Sequence, residues 1–241
     1  MSAFSLEGRN VLITGAAGGI GSETARVCAE LGATLVLADI EEPRELAAEL
    51  RERGATVSTY AFDVADRGAN ERMVAEQSRV DAVVANAGTL SWEDWEEDHW
   101  DQAFERITDV NVLGVIHLAR ACLPRMYRQG GGNMVIVSSV AARMGGLRAG
   151  PHYVASKGGV HALAKWLARR AAPHGVAVNS VAPGATVTPM TEGRGYEASS
   201  IPMQRLAAPR EIALPIAFLC SDAASYMCGA TLDVNGGVYM G

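Results

Sequence analysis

Short apolar runs rich in β-branched residues alternate with longer segments of helical hydrophobic spacing along the whole chain. This alternation is typical of an α/β protein, because parallel strands need a crossover connection, usually a helix, to reach their neighbours. The pattern predicts about seven strands in one doubly wound parallel sheet with helices on both faces. The predicted strands are 11–13, 34–38, 56–62, 82–85, 134–138, 176–181 and 231–234, and the predicted helices are 20–31, 42–53, 67–77, 98–128, 153–172 and 211–219.

No repeat, low-complexity tract or change of composition marks a linker, so we expect a single domain over residues 1–241. The interval 189–209 is loop-like, with Gly193, Gly195 and three prolines, and it is too short and polar to form a domain of its own.

Composition narrows the class of protein. Hydrophobic residues make up 49% of the 241 residues and charged residues 20%, which excludes a disordered chain. The net charge of -6 argues against a general attraction to nucleic acid or anionic membranes. The four cysteines include no C-x-x-C pair, residues 1–10 do not resemble a signal peptide, and no apolar run reaches the roughly 18 residues of a membrane span. A cytoplasmic location is therefore expected.

A glycine cluster, Thr14-Gly15-Ala16-Ala17-Gly18-Gly19-Ile20-Gly21, joins the first predicted strand to the first helix. At such a turn, glycines bring backbone N–H groups close to a pyrophosphate, and the helix N-terminus adds partial positive charge. A tight turn with close helix packing remains the alternative. No Lys-Ser or Lys-Thr follows the cluster, which argues against a P-loop kinase or GTPase.

Asp39 ends the second predicted strand, 24 residues after Gly15. Dinucleotide-binding folds place near this point an acid that accepts hydrogen bonds from a ribose. A carboxylate repels a 2′-phosphate, and neither Ile40 nor Gly18 supplies the cation that a phosphate requires. The sequence therefore favours NAD over NADP, with a solvated strand-end aspartate as the alternative.

Tyr153 and Lys157 are separated by one helical turn, and Ser138 and Ser139 lie upstream at a strand end. Four residues apart on a helix places the phenol and the ammonium on one face. A tyrosine with an ordinary pKa of about 10 needs a fall of roughly two to three units to act as a base near neutral pH. A nearby cation typically lowers a pKa by about one to three units, so we expect Lys157, helped by an oxidised nicotinamide, to lower the pKa of Tyr153.

These residues together resemble the short-chain dehydrogenase/reductase family over almost the whole chain. Residues 14–21 resemble its T-G-x-x-x-G-x-G cofactor turn, and 235–237 resemble its terminal D-G-G. The resemblance assigns catalysis to Asn111, Ser139, Tyr153 and Lys157. It assigns cofactor binding to the turn at Gly15, Gly18, Gly19, Ile20 and Gly21, to Asp39, Ile40, Asp63, Val64, Asn86, Ala87 and Gly88, to Tyr153 and Lys157, and to Pro183, Gly184, Thr186 and Thr188.

The resemblance also implies a mechanism. Tyr153 exchanges the hydroxyl proton while the nicotinamide exchanges hydride, and Ser139 hydrogen-bonds the reacting oxygen. Lys157 holds the nicotinamide ribose, and Asn111 orders a water that links Lys157 to solvent. The segment 189–209 forms the substrate lid, and the helices that carry Asn111 and Tyr153 pack across subunits, which implies a homotetramer or a dimer.

Three features differ from the family pattern or extend it. Ala85 replaces the first Asn of N-N-A-G, and the stretch from Asp63 to Asn86 is short. The gap from Ser139 to Tyr153 is 14 residues, one longer than the commonest spacing in the family, so Ser138 stays open as the substrate-facing hydroxyl.

The candidate substrate residues are Ser139, Tyr153, His152, and Trp92 in a tryptophan-rich acidic segment. For Trp92 the alternative is packing or a subunit contact. For His152 the alternative is a structural role. No two histidines share metal-binding spacing, so no metal site is expected.

The leading hypothesis is an NAD(H)-dependent oxidoreductase that interconverts a secondary alcohol and a ketone on a small cyclic or aromatic substrate. The alternatives are a reductase of 3-oxoacyl thioesters of acyl carrier protein or coenzyme A, a non-catalytic dinucleotide sensor, and a methyltransferase. Asp39 and the net charge disfavour the thioester reductase, and the presence of both Tyr153 and Lys157 disfavours the last two.

Overall fold

The protein was analysed as a computed structural model that describes residues 2–146 and 148–241. Seven parallel strands form one sheet in the order β3-β2-β1-β4-β5-β6-β7. Their bounds are β1 Asn10–Thr14, β2 Thr34–Asp39, β3 Val57–Ala61, β4 Ala82–Ala85, β5 Gly132–Val137, β6 Val176–Pro183 and β7 Thr231–Val234. This confirms the predicted doubly wound Rossmann class, and most strand bounds differ from the sequence prediction by only one or two residues.

Helices cover both faces of the sheet. They are α1 Gly19–Glu30, α2 Arg44–Glu52, α3 Arg67–Ala75, α4 Trp100–Thr108, α5 Gly114–Arg128, α6 Ala141–Met144, α7 Pro151–Ala171 and α8 Pro209–Cys220. The sequence did not predict the one-turn helix α6. The predicted helix over 98–128 consists of α4, a π-helical segment at Asp109–Leu113, and α5.

The strands bury side chains on both sides, which forms two apolar layers. Along β1, Val11 and Ile13 pack into the layer under α1 and α8, and Leu12 packs into the layer under α5 and α7. Because successive residues of a strand point to opposite faces, a strand covered on both sides reads as a continuous apolar run. Full burial of each such side chain contributes about 1.5–3 kcal/mol.

The continuous helical run Trp100–Arg128 is long and apolar enough to span a membrane by length and composition. Leu118, Cys122 and Met126 of this run are fully buried in the layer under α5, whereas Phe104 and Leu113 are exposed. We therefore interpret the α5 part of the run as a core helix. Charged residues interrupt the run, so the sequence showed no continuous apolar stretch here.

The strand order also fixes where a ligand binds. The chain passes from β1 to β2 and β3 on one side and then returns to place β4 on the other side of β1. Connections leaving β1 and β4 therefore diverge to opposite faces and open a crevice at the carboxyl ends of the strands.

Candidate active site

A cleft of about 760 Å³ occupies this crevice. Its walls come from the segments that follow β1 to β6 and from α7. The sequence-predicted site residues that line it are Gly15, Gly18, Gly19, Ile20, Asp39, Ile40, Asp63, Val64, Asn86, Ala87, Gly88, Ser139, Tyr153, Lys157, Pro183, Gly184, Thr186 and Thr188. Residues from distant parts of the chain thus meet because parallel strands end at the same edge of a sheet.

The glycine turn after β1 is tightly packed. Gly15 has a φ of +66°, and a Cβ there would lie 2.7 Å from the Ala87 Cα. A Cβ on Gly21 would lie 2.0 Å from the Gly15 carbonyl oxygen, so Gly21 acts by allowing α1 to approach the turn and lies behind the cleft wall. Some glycines of the cluster pack the turn and others line the cleft, and the binding of a pyrophosphate there stays a prediction.

The N-terminus of α1 opens towards the cleft. Gly18, Gly19 and Ile20 line the cleft, and no side chain caps the helix at Gly18. The first N–H groups of a helix have no partner within it and attract anions. A Cβ built on Gly18 would meet only the Gly15 oxygen, at 3.6 Å, so a ligand can approach the backbone closely. These properties fit the pyrophosphate of a dinucleotide.

Asp39, the last residue of β2, is bound to the glycine turn. One carboxylate oxygen accepts a hydrogen bond from the Ala17 N–H at 2.8 Å, and the other accepts one from the Ile40 N–H at 2.7 Å. Each oxygen keeps a further lone pair for an outside donor such as a ribose hydroxyl. The carboxylate is thereby oriented at the cleft wall.

Asn86, directly after β4, connects the end of β4 to the end of the neighbouring strand β1. Its amide nitrogen donates to the Thr14 and Gly15 carbonyl oxygens at 3.1 and 2.9 Å. The Ala87 N–H donates to the Thr14 hydroxyl at 3.3 Å. Thr14 was not singled out from sequence, although it begins the T-G-x-x-x-G-x-G turn. The Asn86 side chain therefore holds the turn in place, and its backbone lies along the cleft.

Tyr153 and Lys157 lie on the first turns of α7, side by side at the cleft. The Lys157 Nζ lies 5.6 Å from the centroid of the Tyr153 ring. It donates a hydrogen bond to the Val137 carbonyl oxygen at the end of β5, at 3.0 Å. The predicted face-sharing of the two side chains is therefore observed, and β5 fixes the lysine.

Burial dominates the titration of both groups. It raises the pKa of the Tyr153 hydroxyl to about 12, and the hydrogen bond with Ser139 lowers that pKa to a lesser extent. It lowers the pKa of the Lys157 ammonium to about 8. In the protein without cofactor, the pKa of Tyr153 therefore lies above its ordinary value because of burial. The lowering expected from Lys157 together with an oxidised nicotinamide stays a prediction.

The two serines after β5 have different partners. The Ser138 hydroxyl is buried and donates to the Lys157 carbonyl oxygen at 3.2 Å, which ties β5 to α7. The Ser139 hydroxyl accepts a hydrogen bond from the Ala141 N–H at 3.1 Å and is hydrogen-bonded to Tyr153. This arrangement favours Ser139 as the group that faces a substrate, in agreement with the motif assignment.

Asn111 lies in the π-helical segment and is buried behind the cleft wall. Its amide nitrogen donates to the Thr89 carbonyl oxygen and to the Ser156 hydroxyl, both at 3.0 Å, and its oxygen accepts from the Thr89 N–H at 2.8 Å. Sequence reasoning missed Ser156, although it directly precedes Lys157. The water predicted between Asn111 and Lys157 stays a prediction.

Two residues predicted to contact substrate lie outside the cleft wall. His152 is fully buried and its ring stacks on Trp100 of α4, with centroids 5.7 Å apart. Trp92 packs under the Arg194 guanidinium, which lies 5.0 Å from its ring centroid. Neither side chain reaches the cleft, because α7 turns His152 away from Tyr153 and the segment before α4 directs Trp92 towards Arg194. The structure therefore supports the packing alternatives for both.

The comparisons with known proteins agree with this geometry. Residues 15–239 match the family model described as enoyl-(acyl carrier protein) reductase. The chain is 37% identical over 250 residues to a short-chain type dehydrogenase/reductase of Sinorhizobium fredii, covering 97% of this chain and 98% of the relative. It is 37% identical over 239 residues to the cis-4-hydroxycyclohexanecarboxylate dehydrogenase of Sinomonas cyclohexanicum, covering 95% and 96%.

A solved structure is also similar over nearly the whole chain. The 3-oxoacyl-[acyl-carrier protein] reductase of Brucella melitensis, crystallised with bound NAD, superposes with a TM-score of 0.91 at 33% identity, covering 99% of this chain and 94% of that one. The similarity in sequence and in fold extends over nearly the whole chain, and it agrees with the motif assignment and with the geometry of the cleft. The chain therefore belongs to the short-chain dehydrogenase/reductase family and is an oxidoreductase acting on CH–OH groups.

Proposed function

We propose that the protein is an NAD(H)-dependent oxidoreductase that interconverts a secondary alcohol and a ketone, with a small cyclic or aromatic compound as substrate. The observation that carries the proposal is the group formed by Ser139, Tyr153 and Lys157 on one wall of the cleft. The cis-4-hydroxycyclohexanecarboxylate dehydrogenase of Sinomonas cyclohexanicum supports the substrate class, since its name specifies a cyclohexane alcohol.

The residues divide the chemistry between them. In ketone reduction, the Tyr153 hydroxyl donates its proton to the carbonyl oxygen, and the Ser139 hydroxyl holds that oxygen by a second hydrogen bond. In alcohol oxidation the ionised Tyr153 accepts the hydroxyl proton. The nicotinamide, when bound, supplies or accepts the hydride. Lys157 keeps two N–H groups beyond its bond to Val137, which suits it to hold the nicotinamide ribose.

The preference for NAD rests on Asp39. Its carboxylate is fixed at the cleft wall by the N–H groups of Ala17 and Ile40. A carboxylate fixed in this way accepts hydrogen bonds from ribose hydroxyls and repels a 2′-phosphate.

Substitution of Tyr153 by Phe tests the catalytic proposal. We expect Tyr153→Phe to lower the rate of alcohol oxidation by at least about 100-fold, because general acid–base catalysis contributes at least that much. Binding of NADH, followed by its fluorescence, should be retained. Tyr60→Phe is the matched control, since Tyr60 lies on β3 outside the cleft wall and its hydroxyl donates to Glu76 at the end of α3. Normal turnover by Tyr153→Phe contradicts the mechanism, and NAD binding without turnover of any alcohol or ketone by the wild type would support a sensor.

A second candidate is reduction of 3-oxoacyl thioesters. The Brucella melitensis structure carries that activity in its name. Five acidic residues between positions 93 and 98 precede α4 and argue against docking of an acidic carrier protein. Comparison of acetoacetyl-coenzyme A and cyclohexanone derivatives, each with NADH and NADPH, distinguishes the two functions.

We also propose that residues 1–241 act as one domain with 189–209 as a substrate lid, in a cytoplasmic homotetramer. In the lid segment, Pro189, Met190, Thr191, Tyr196 and Ser200 line the cleft. The assembly is supported by exposed apolar side chains on the helices that pack across subunits in the family, namely Phe104, Leu113 and Trp166.

Light scattering of the wild type and of Trp166→Glu tests the assembly. We expect the wild type to have the mass of four chains and Trp166→Glu to have a smaller mass. Trp95→Glu is the control, because Trp95 is at least as exposed as Trp166, at 69% against 58%, but lies outside those helices. A monomeric wild type contradicts the proposed assembly.

A further inference from the structure

Charge is unevenly distributed along the cleft. Among the described residues that line it, the carboxylates are Asp39 and Asp63, at the ends of β2 and β3. The cations are Arg106, Arg148 and Lys157, which lie on or beside α4, α6 and α7. Away from the ends of β2 and β3, the described lining of the cleft therefore carries cations and no carboxylate.

Two of these three cations already have partners. Lys157 donates to the Val137 carbonyl oxygen. The Arg106 guanidinium donates to the Ser91 hydroxyl at 3.2 Å and lies 3.9 Å from a Glu93 carboxylate oxygen. The Arg148 guanidinium differs, because no carboxylate of residues 2–146 or 148–241 lies within 4.0 Å of it.

Arg148 is exposed at the cleft and lies against the lid segment. A Cβ built on Gly195 would lie 3.1–3.4 Å from three atoms of the Arg148 guanidinium, so the absence of a side chain at Gly195 gives the guanidinium its space. Gly195 has a φ of +66°, a conformation that also favours glycine. The lid backbone thus accommodates this cation at the cleft wall.

Tyr196 of the lid segment lines the same cleft as Arg148 and Tyr153. Burial raises the pKa of its hydroxyl, and the charge of Arg148 lowers that pKa to a lesser extent. Tyr153, Tyr196 and Arg148 therefore belong to one continuous cleft surface.

Apolar side chains also line the cleft, with Thr191 and Ser200 as polar residues among those of the lid segment. The apolar ones are Leu90, Met144, Ala149, Met190, Ile201 and Val238. A ligand that fits the surface has an apolar body between the reacting carbon and a terminal anion.

We propose that Arg148 binds a carboxylate of the substrate, so that the protein acts on hydroxy acids and oxo acids in which an apolar spacer separates the carboxylate from the reacting carbon. This inference rests on the proposed function and narrows its substrate class. A guanidinium binds a carboxylate through two parallel N–H···O bonds, which fixes the orientation of the substrate as well as its charge.

The test compares acids with their neutral primary amides. The substrates are cis- and trans-3- and 4-hydroxycyclohexanecarboxylate, linear hydroxy acids of similar length, and the carboxamide of each, assayed with NAD⁺. Hydrogen bonds to charged groups are worth enough to give about a 10- to 100-fold preference in kcat/KM. We therefore expect the wild type to prefer the acids by that factor.

Arg148→Met should remove the preference by raising KM for the acids while leaving kcat/KM for the amides within about 3-fold. Arg194→Met is the matched control, because it removes the same charge from the lid segment, where Arg194 packs over Trp92 outside the cleft wall. A purely structural role of Arg148 in holding the lid predicts equal losses for acids and amides.

The outcomes separate the two proposals. Three results overturn the carboxylate site and leave the proposed function standing. They are turnover of amides by the wild type as fast as acids, equal losses for acids and amides in Arg148→Met, and the same change of selectivity in Arg194→Met. A panel of acids, amides and simple alcohols without any turnover overturns the proposed function itself. Loss of the preference for acids in Arg148→Met alone supports both.

Discussion

The Asp39 carboxylate accepts a hydrogen bond from the Ala17 N–H at 2.8 Å, which joins the end of β2 to the turn after β1. Residues 22 positions apart in the chain are thereby fixed on one wall of the cleft. The same carboxylate that orders the glycine turn is the group proposed to select the cofactor.

Replacement of Asp39 by Asn therefore tests cofactor selection with little change of shape. An asparagine oxygen can still accept the Ala17 N–H, but the negative charge is lost. We expect the ratio of kcat/KM for NAD⁺ to that for NADP⁺ to fall by at least about 10-fold, since repulsion of the 2′-phosphate is removed. Glu42→Gln serves as the control, because Glu42 follows β2 but lies outside the cleft wall. An unchanged ratio in Asp39→Asn contradicts the assignment.

Ser138 and Ser139 provide a pair of adjacent, chemically identical variants. Ser139→Ala removes the hydroxyl that bonds Tyr153, and we expect a loss of kcat of about 100-fold, comparable to removal of one oxyanion donor. Ser138→Ala removes the bond to the Lys157 carbonyl oxygen and should lower the free energy of unfolding by about 1 kcal/mol, with a small effect on kcat. Steady-state rates and urea unfolding measure the two effects, and the reverse result would assign the substrate to Ser138.

The pKa of Tyr153 predicts opposite pH dependences for the two directions. Because burial raises that pKa to about 12, the hydroxyl is protonated at neutral pH and ready to donate a proton to a ketone. We expect kcat/KM for alcohol oxidation to rise with pH between 6 and about 9, and ketone reduction to show no such rise. A cationic nicotinamide lowers the pKa and moves the profile to lower pH without changing its sign. Oxidation independent of pH over this range contradicts Tyr153 as the base.

Lys157 predicts a pH-dependent stability. Its pKa of about 8 in the folded protein lies below its ordinary value of 10.5, so the unfolded chain binds more protons between these two values. The resulting cost to folding, about 3 kcal/mol, is complete below pH 8 and disappears as the pH rises through 10.5.

We therefore expect Lys157→Met to raise the free energy of unfolding at pH 7, and to remove part of its increase with pH between 8 and 10.5. Urea unfolding at several pH values measures both effects. Lys165→Met, an exposed position on the same helix, is the control and should leave the pH dependence unchanged. A lower stability of Lys157→Met at pH 7 would show that the bond to Val137 outweighs desolvation.

Much of the fold could be predicted from sequence, because buried strands and amphipathic helices have distinct periods. β4 and β7 have the predicted bounds, whereas α6 is too short to give a periodic signal. Nearly all residues predicted to bind the cofactor line the cleft, since glycines and strand-end polar residues carry local signals. Their binding of a cofactor stays a prediction.

The substrate side was predicted less well for a physical reason. His152 is adjacent to Tyr153 in sequence, but a step of one residue on a helix rotates a side chain by about 100°, which turns it towards Trp100. Arg148 and Tyr196 come together through tertiary contact between two loops, which no local pattern encodes. The pKa of Tyr153 depends on burial, and the sequence predicted only the charge of its neighbour.

The π-helical segment Asp109–Leu113 has a wider consequence for the long run of helix that contains it. A π segment accommodates one extra residue, and one residue offsets the downstream face of a helix by about 100°. α4 consequently packs on α7, whereas α5 packs on α3. The two halves can therefore tolerate different substitutions. Deletion of a single residue near Asn111 would remove the offset between α4 and α5. One of the two helices would then rotate away from its packing partner, and the Asn111 side chain would move away from Thr89.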